Sequence, residues 1–262
     1  MVPSESAGVD LSVLVPSFGY GRFIGDALRS VLDQDGLAAE VIVHDAGSTD
    51  ETLDVLRSFS DGVRWVSQPD DGQSDALNHA LDEAQGRWVA WLNADEFYLP
   101  GGLKRLMTVG DEQNADVVYG DGVVVDETGR FSRLTPQHPF SPTVLRWYGG
   151  FLQSSSSIFR RSTLGSTPWD PKLTLVMDWD LYLRLHRQGA AYRYVKYPVG
   201  AFRLHSAQVT AGPPRFETPT VRSRYGISPA RIFRRRRSVV RSISNTRKIF
   251  SKWVSGSRAR SS

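Results

Sequence analysis

Short apolar runs alternate with helical patterns through the first hundred residues, and this alternation limits the folds open to the chain. The strand candidates are LSVLVP, EVIVH, VRWVS and RWVAWL, and apolar residues recur at helical spacing between them. Mainly apolar strands separated by helices are typical of a parallel sheet that is covered on both faces. We therefore predict an α/β fold with a mainly parallel sheet flanked by helices.

The chain after residue 110 follows a mixed pattern instead of a repeating one. DVVYGDGVVVDETGRFSRL predicts a strand, a turn and a hairpin closed at residues 127–129, and SSSSIFR predicts another short strand. MDWDLYLRLHRQG predicts a helix ended by Gly189, and AYRYVKYPVGAFRLH predicts one or two further strands. A mixed half of this kind suits the binding of a second substrate.

Small, acidic and turn-forming residues follow each of the four early strands. The segments are residues 16–18, 45–48, 68–73 and 93–96. Each segment alone is explained by turn chemistry or solvent exposure, and Ser48 also fits a helix N-cap whose capping box is completed by Glu51. Because ligands of such sheets bind outside the carboxyl ends of the strands, the four segments together predict a binding edge.

The composition excludes several classes of protein. A chain without cysteine has no disulfide, zinc–thiolate site or thiol nucleophile. It starts with MVPSESAGVD, which lacks the pattern of a secretory signal, and no apolar run approaches the ~18 residues of a membrane-spanning helix. No GxGxxG follows the first strand, which disfavours a dinucleotide-dependent oxidoreductase. We expect a cytoplasmic protein.

The charge of the chain changes sharply near Gly212 and Pro213. Residues 213–262 hold 14 Lys and Arg against one acid, so this segment carries +13 and residues 1–212 carry −9. Such a break marks a separate interaction segment. We predict one domain over residues 1–212, followed by a basic tail over residues 213–262.

The motifs, in their order, resemble family-2 glycosyltransferases of the GT-A fold. The resemblance rests on LSVLVPSFGYGRFIGDALRSVLDQ, EVIVHDAGSTDETLDVL, QPDDGQSDALNHALDEAQGRWVAWLNADEFYLPGGL, MDWDLYLRL and FRLHSAQVT, which cover most of residues 11–210. No single piece is decisive, but the combination and its order are specific. The resemblance implies a Rossmann-like sheet and a hexosyltransferase-type enzyme that transfers a sugar from a nucleoside-diphosphate-sugar donor to an acceptor hydroxyl. It also implies a nucleotide-binding half (about 10–110) and an acceptor and catalytic-base half (111–212).

A divalent cation, Mg²⁺ or Mn²⁺, is implied because such enzymes neutralise the departing diphosphate with a metal ion. The family's DxD-like motif is matched by Asn93, Ala94 and Asp95, and Asp95 is the metal candidate. Asn93 departs from the strict pattern but can hydrogen-bond a ribose hydroxyl. Glu96 is either a solvated loop acid or an indirect contributor to the site. His205 matches a histidine that many GT-A enzymes bring to the metal or diphosphate, although a lone histidine is often structural.

The remaining donor contacts fall to the earlier loops. The resemblance implies that Asp45 accepts a hydrogen bond from the base, and Asp75 is either a second nucleoside contact or an ordinary acid at a helix start. The residues proposed to line or approach the nucleotide are Pro16, Ser17, Phe18, Gly47 and Gly72, the two glycines because they let the backbone come close.

Asp178 matches the family's catalytic base, which deprotonates the acceptor hydroxyl. Asp178 and Asp180 cannot share one face of a helix, and Arg184 at i+4 offers Asp180 an ordinary surface ion pair. We expect the position of Asp178 in the first turn of a helix to keep its carboxylate ionised. The implied outcome is inversion at the anomeric carbon.

The basic tail contains a predicted amphipathic helix over residues 228–254. Apolar residues there approximate one stripe, with arginines and lysines between them, which suits an anionic membrane surface beside a lipid-linked or other saccharide acceptor. A solvated tail and adhesion to nucleic acid are the alternatives, but the −9 charge of the body argues against nucleic acid. A nucleotide-sugar binder without turnover is a second function class, motivated by Asn93. We expect peripheral attachment at the cytoplasmic face.

Overall fold

The computed structural model describes residues 8–59, 62–149, 152–206, 208 and 218–227. The strands are β1 (Leu11–Ser17), β2 (Ala39–Asp45), β3 (Val63–Ser67), β4 (Trp88–Trp91), β5 (Phe97–Tyr98), β6 (Val117–Val125), β7 (Phe131–Thr135), β8 (Ser157–Arg160) and β9 (Tyr192–Arg203). The helices are α1 (Gly21–Leu32), α2 (Thr52–Arg57), α3 (Gln73–Glu83), α4 (Gly102–Glu112), α5 (Pro142–Tyr148), α6 (Arg161–Leu164), α7 (Met177–Arg187) and α8 (Thr218–Arg224), with one 3₁₀ turn at Ser154–Ser156.

These strands form one sheet in the order β3-β2-β1-β4-β8-β6-β9-β5, with β7 also paired to β6. The four early strands are parallel to one another. Strand β8 then joins β4 to β6 through antiparallel pairs on both of its sides. The predicted parallel sheet and the predicted mixed second half are therefore both present.

Strand β6 forms the centre of the second half. Its first residues pair with β8, its last residues pair with β7, and β9 runs parallel along its other edge. The predicted turn inside DVVYGDGVVVDETGRFSRL is wrong, because β6 runs unbroken from Val117 to Val125. A continuous strand wins here because every residue of β6 is buried and needs the hydrogen bonds of a ladder.

The predicted capping box at Ser48 and Glu51 is also wrong. Helix α2 begins at Thr52, and Asp50 accepts hydrogen bonds from the backbone N–H and the hydroxyl of that residue. The Ser48 hydroxyl donates to the buried Asp45 carboxylate at 2.5 Å and accepts from the Gly19 N–H at 2.8 Å. The Ser48 hydroxyl is therefore committed to the buried Asp45 carboxylate, and Asp50 takes over the role of side-chain acceptor at the start of α2.

Two apolar clusters cover the two faces of the sheet. Helices α1 and α4 pack on one face, and helices α3 and α7 pack on the other. Trp88 and Trp169 are fully buried in these clusters, and burial of such aromatic side chains dominates core energetics. Each helix start and strand end is thereby fixed relative to the others.

Helix α8 and the residues after it pack against the domain, although they lie in the predicted basic tail. Val221 and Ile227 are buried in the same cluster as α7. The packed part of the chain therefore extends past Gly212 to Ile227. The predicted amphipathic helix over 228–254 lies outside the described residues. Across the described ranges, no helix combines the length and apolar character needed to cross a membrane.

Candidate active site

A cleft of about 1070 Å³ opens where β1 and β4 end. Strands β1 and β4 deliver residues 16–18 and 93–95 to it, α7 delivers Asp178 from its first turn, and the segment after β9 delivers His205. The predicted site residues that line the cleft are Pro16, Ser17, Phe18, Gly72, Asn93, Ala94, Asp95, Asp178 and His205. The binding edge predicted from the strand exits is thus one continuous surface.

Asp95 and His205 meet at the bottom of this cleft. The Nε2 atom of His205 lies 2.9 Å from Oδ2 of Asp95, and their side chains are 1% and 10% exposed. The His205 ring packs against the Phe23 ring at 4.7 Å between centroids. The other ring nitrogen, Nδ1, is buried without a hydrogen-bond partner in the described part of the chain.

This pair fits a divalent cation. A carboxylate oxygen and an imidazole nitrogen are both ligands of Mn²⁺, and a carboxylate is a ligand of Mg²⁺. Within the described ranges no group of three or more His, Cys, Asp or Glu residues forms a metal cluster. A cation shared with phosphate oxygens needs only one or two protein ligands, so a two-residue donor set is sufficient.

Arg203 lies beneath this pair and was missed by the sequence reasoning. Its guanidinium donates to the Asp95 carbonyl at 3.0 Å, to the Glu127 carbonyl at 2.9 Å and to the Asp26 carboxylate at 2.9 Å. It is 2% exposed. Arg203 therefore holds the Asp95 loop against the end of β9. No local pattern distinguishes it, because β9 also contains Arg193 and Lys196.

Glu96 is buried at 2% exposure, so its interpretation as a solvated loop acid is wrong. Burial, together with the neighbouring charge of Asp95, raises the pKa of Glu96 well above its ordinary value, against a hydrogen bond from Asn93. Its Oε2 atom has no hydrogen-bond partner in the described residues. The turn after β4 folds Glu96 inward, next to Asp95.

Asp178 lies in the first turn of α7 and faces the cleft. Its Oδ1 atom accepts a hydrogen bond from the Trp179 N–H at 2.6 Å. Burial nevertheless raises the pKa of Asp178 to about 6, against the hydrogen bonds from the backbone. Desolvation of the carboxylate therefore outweighs the helix dipole in setting this pKa, and an ionised Asp178 near neutral pH stays a prediction.

Asp180 points away from the cleft and does not pair with Arg184. It is 3% exposed and accepts a hydrogen bond from Arg224 of α8 at 2.7 Å. Arg184 donates instead to the carbonyl of Pro168. The predicted surface pair is wrong because α8 covers this side of α7 and supplies a closer cation.

Three predicted nucleotide contacts, Asp45, Gly47 and Asp75, lie outside the cleft lining. The Asp45 carboxylate accepts hydrogen bonds from the Gly47 and Ser48 N–H groups and from the Ser48 and Ser67 hydroxyls. Asp75 lies in the first turn of α3 and accepts from the Asp71 N–H. The contacts of Asp45, Gly47 and Asp75 with a nucleoside stay predictions. The carboxylates of Asp45 and Asp75 order the loops that shape the cleft.

Asn93 is held from two sides. Its Oδ1 atom accepts hydrogen bonds from Trp91 Nε1 at 2.9 Å and from Gln73 Nε2 at 2.6 Å. A contact between Asn93 and a ribose hydroxyl stays a prediction. Such a contact must use the parts of the amide that Trp91 and Gln73 do not occupy.

The cleft also contains buried polar atoms without partners in the described chain. They are Ser17 Oγ, Thr135 Oγ1 and Gln153 Oε1, and all three residues line the cleft. Buried polar atoms require hydrogen-bond partners, which a hydroxyl-rich ligand can provide. Thr135 and Gln153 were missed because the β6–β7 pairing and the 3₁₀ turn bring them to the cleft, and no local pattern marks them.

Comparison with known proteins identifies the family. The family model described as Glycosyl transferase family 2 matches residues 12–166. A Mycobacterium tuberculosis protein named PGL/p-HBAD biosynthesis glycosyltransferase is 27% identical over 209 residues, which are 73% of this chain and 75% of that protein. An uncharacterized glycosyltransferase of Rickettsia bellii is 25% identical over 210 residues, which are 76% of this chain but only 30% of that protein.

Solved structures share the fold. TarS residues 1–349 of S. aureus, in complex with UDP-GlcNAc, match with a TM-score of 0.65 and 20% identity over 78% of this chain and 61% of that chain. The mannosyltransferase PcManGT of Pyrobaculum calidifontis, in complex with GDP-Man and Mn²⁺, matches with a TM-score of 0.59 and 19% identity over 77% and 59%. The predicted GT-A fold is confirmed, and the family model covers more than half of the chain. The chain belongs to glycosyl transferase family 2.

Proposed function

We propose that this chain transfers a hexosyl group from a nucleoside-diphosphate-sugar donor to an acceptor hydroxyl, with inversion at the anomeric carbon. The observation that carries this proposal is that the Asp95–His205 pair and Asp178 line one cleft from different elements of the fold. The Asp95–His205 pair is suited to the departing diphosphate, and the Asp178 carboxylate is suited to the incoming hydroxyl.

The donor side is supported by the relatives and by the chemistry of the pair. TarS is in complex with UDP-GlcNAc, and PcManGT is in complex with GDP-Man and Mn²⁺. In this chain Asp95 and His205 would hold the cation. When bound, a divalent cation supplies positive charge that stabilises a leaving diphosphate. Arg203 keeps Asp95 in place, and the ring of Phe23 fixes the orientation of His205.

The acceptor side rests on Asp178. In its ionised form the carboxylate accepts the proton of the acceptor hydroxyl while the acceptor oxygen bonds to the anomeric carbon. The bond from that carbon to the diphosphate oxygen breaks, and the nucleoside diphosphate leaves with the electron pair. Burial raises the pKa of Asp178 to about 6. Because this value is still below neutral pH, the carboxylate is mainly ionised there, and it is more basic than an exposed carboxylate. A single displacement of this kind inverts the anomeric centre.

We propose a saccharide as the acceptor, either lipid-linked or part of a growing polysaccharide. Thr135 and Gln153 bring to the cleft polar atoms that have no hydrogen-bond partner among the described residues, which suits sugar hydroxyls. The Mycobacterium relative is named for PGL/p-HBAD biosynthesis. This name supports, by analogy alone, a biosynthetic acceptor of similar class.

Attachment to an anionic membrane is proposed from the +13 charge of residues 213–262. Flotation with vesicles of phosphatidylglycerol and phosphatidylcholine would test it, with the full chain compared with a chain that ends after residue 227. Loss of flotation in the shorter chain is expected, and equal flotation of the two would overturn the membrane proposal.

The proposed activity is tested by screening nucleoside-diphosphate sugars for hydrolysis with Mn²⁺, Mg²⁺ or EDTA. We expect metal-dependent hydrolysis of at least one donor, and loss of hydrolysis but retention of nucleotide binding in Asp178→Asn. Nucleotide-sugar binding without turnover in the wild type would favour the alternative, a binder whose Asn93 amide is already engaged by Trp91 and Gln73.

A further inference from the structure

Arg224 connects the C-terminal segment to both ends of the segment that carries Asp178. Its Nη1 atom donates to Asp180 Oδ1 at 2.7 Å, and its Nη2 atom donates to Asp170 Oδ2 at 2.6 Å. Residues 170–180 lie between these two carboxylates, and they include Asp178. One guanidinium therefore closes this segment into a loop.

The contacts around Arg224 show that the closure is built into the fold. Tyr225 donates its hydroxyl to the Asp180 carboxylate at 3.1 Å, and the Tyr225 carbonyl accepts from Arg146 of α5 at 2.8 Å. Val221 and Ile227 bury their side chains on either side of Arg224 in sequence. These contacts hold α8 in place, so the guanidinium is fixed relative to α5 and α7.

Asp180 depends on this guanidinium. Its carboxylate is 3% exposed, and a buried carboxylate without a cation is strongly unfavourable. The planar fork of arginine can serve two carboxylates at once, which a lysine ammonium does less well. Loss of Arg224 would therefore release the first turn of α7 toward water at Asp180, two residues from Asp178.

We propose that Arg224 is a positioning residue for Asp178: by clamping Asp170 and Asp180 it fixes the first turn of α7 and aims the Asp178 carboxylate into the cleft. This inference rests on the proposed function, in which Asp178 is the base. It also makes residues 218–227 part of the catalytic unit, although the charge pattern assigned them to the tail.

The proposal is tested with a variant that lacks the contacts of Arg224 with Asp170 and Asp180 but has the same net charge as the wild type. In the double variant Asp180→Asn with Arg224→Gln, one buried negative and one positive charge are removed together. The pKa of Asp178 is then measured by carboxyl-carbon NMR, with Asp178→Asn used to assign the signal. Tyr182, the titratable group that couples to Asp178, stays neutral because burial raises its pKa.

We expect the pKa of Asp178 to fall from about 6 toward its ordinary value near 4, because the released carboxylate gains water. In this variant Asp170 has lost its cation, and its negative charge would by itself raise the pKa of Asp178. A fall in the pKa of Asp178 therefore reports better solvation of its carboxylate and not the change in nearby charge. The matched control is Arg64→Gln, which removes a guanidinium that donates to Glu40 and to the Glu83 carbonyl, none of which lies in α7 or lines the cleft. It should leave the pKa of Asp178 unchanged.

Kinetics give a second readout with a donor that the wild type hydrolyses. The double variant should lose at least tenfold in kcat with little change in KM for the donor, because the Asp95–His205 pair is untouched, and Arg224→Lys should lose less. An unchanged pKa of Asp178 in the folded double variant would overturn the proposal, as would loss of the whole fold, which would make Arg224 a general structural residue. The NMR result does not need turnover, so it is readable even where no donor is hydrolysed.

Discussion

The imidazole of His205 lies 2.9 Å from the carboxylate of Asp95, although the two residues are 110 positions apart. Asp95 follows β4 and His205 follows β9, and these strands lie in different halves of the sheet. The contact therefore depends on the whole sheet being formed. Arg203 secures it by binding the Asp95 carbonyl from the end of β9.

The first prediction concerns this pair. We expect Asp95→Asn and His205→Gln each to weaken Mn²⁺ binding in the presence of UDP or GDP by on the order of 10–100-fold, because each removes one of the two proposed protein ligands. Isothermal titration of Mn²⁺ into protein saturated with nucleotide measures the effect.

His44→Gln is the matched control for this measurement. His44 Nε2 lies 2.8 Å from Glu83 Oε1, so it is also a partly buried histidine–carboxylate pair, but neither residue lines the cleft. Mn²⁺ binding should be unaffected in this control. Wild-type affinity in His205→Gln would remove His205 from the metal site.

The second prediction concerns the pH dependence of turnover. Burial raises the pKa of Asp178 to about 6, and the ionised form is the proposed base. The rate should therefore be constant above about pH 7 and fall about tenfold per pH unit below pH 6. Asp178→Asn should lower kcat by roughly 10²–10⁴-fold and abolish this acidic limb. A pH profile of kcat with a saturating donor measures both effects, and an acidic limb that survives in Asp178→Asn would exclude Asp178 as the base.

The sequence predicts those features whose cause is local. The four early strands follow from mainly apolar runs, and α7 ends before Gly189, whose φ is +89°, as predicted for a residue at a helix end. Asp95 and Asp178 lie in the cleft because strand exits and helix starts fix them there.

Features that depend on long-range contacts could not be predicted in this way. Ser48 caps nothing, because Asp45 is buried and takes its hydroxyl. Glu96 turns inward, and Asp180 pairs with Arg224 instead of Arg184. In each case the acid is buried by the packing of the whole domain, which local spacing does not encode. Once buried, Asp45 and Asp180 take the donors that the folded chain places next to them.

The third prediction concerns the stability cost of Asp178. Its folded pKa of about 6 exceeds the ordinary value near 4, so ionisation in the folded protein is unfavourable. This cost is absent below about pH 4 and complete above about pH 6. Asp178→Asn should therefore raise the free energy of unfolding by about 1–2 kcal/mol at pH 8, since one pKa unit corresponds to about 1.4 kcal/mol and partial exposure reduces the effect.

Urea unfolding of the wild type and Asp178→Asn at pH 8 and pH 4 checks this prediction. The stability difference should shrink toward zero at pH 4, where the carboxyl group is neutral in both the folded and the unfolded chain. Equal stability of the two proteins at pH 8 would show that Asp178 is well solvated.

The last prediction concerns Gly200, which lets the 3₁₀ turn approach β9. A Cβ atom at Gly200 would lie 1.9 Å from the carbonyl oxygen of Ser155, a backbone atom that cannot rotate away. Gly200→Ala should destabilise the fold by about 2–3 kcal/mol, which lowers Tm by roughly 5–10 °C. Because the turn follows Gln153, donor turnover should fall as well. Gly25→Ala in α1 is the control. Its new methyl group would meet the flexible end of Arg29 at 3.3 Å and would lie at an ordinary contact distance of 3.5 Å from Val55 Cγ1, and alanine favours a helix interior by about 0.5–1 kcal/mol over glycine. Thermal unfolding followed by circular dichroism compares the two variants, and a Gly200→Ala protein that melts with the wild type would contradict the close packing of Ser155 on β9.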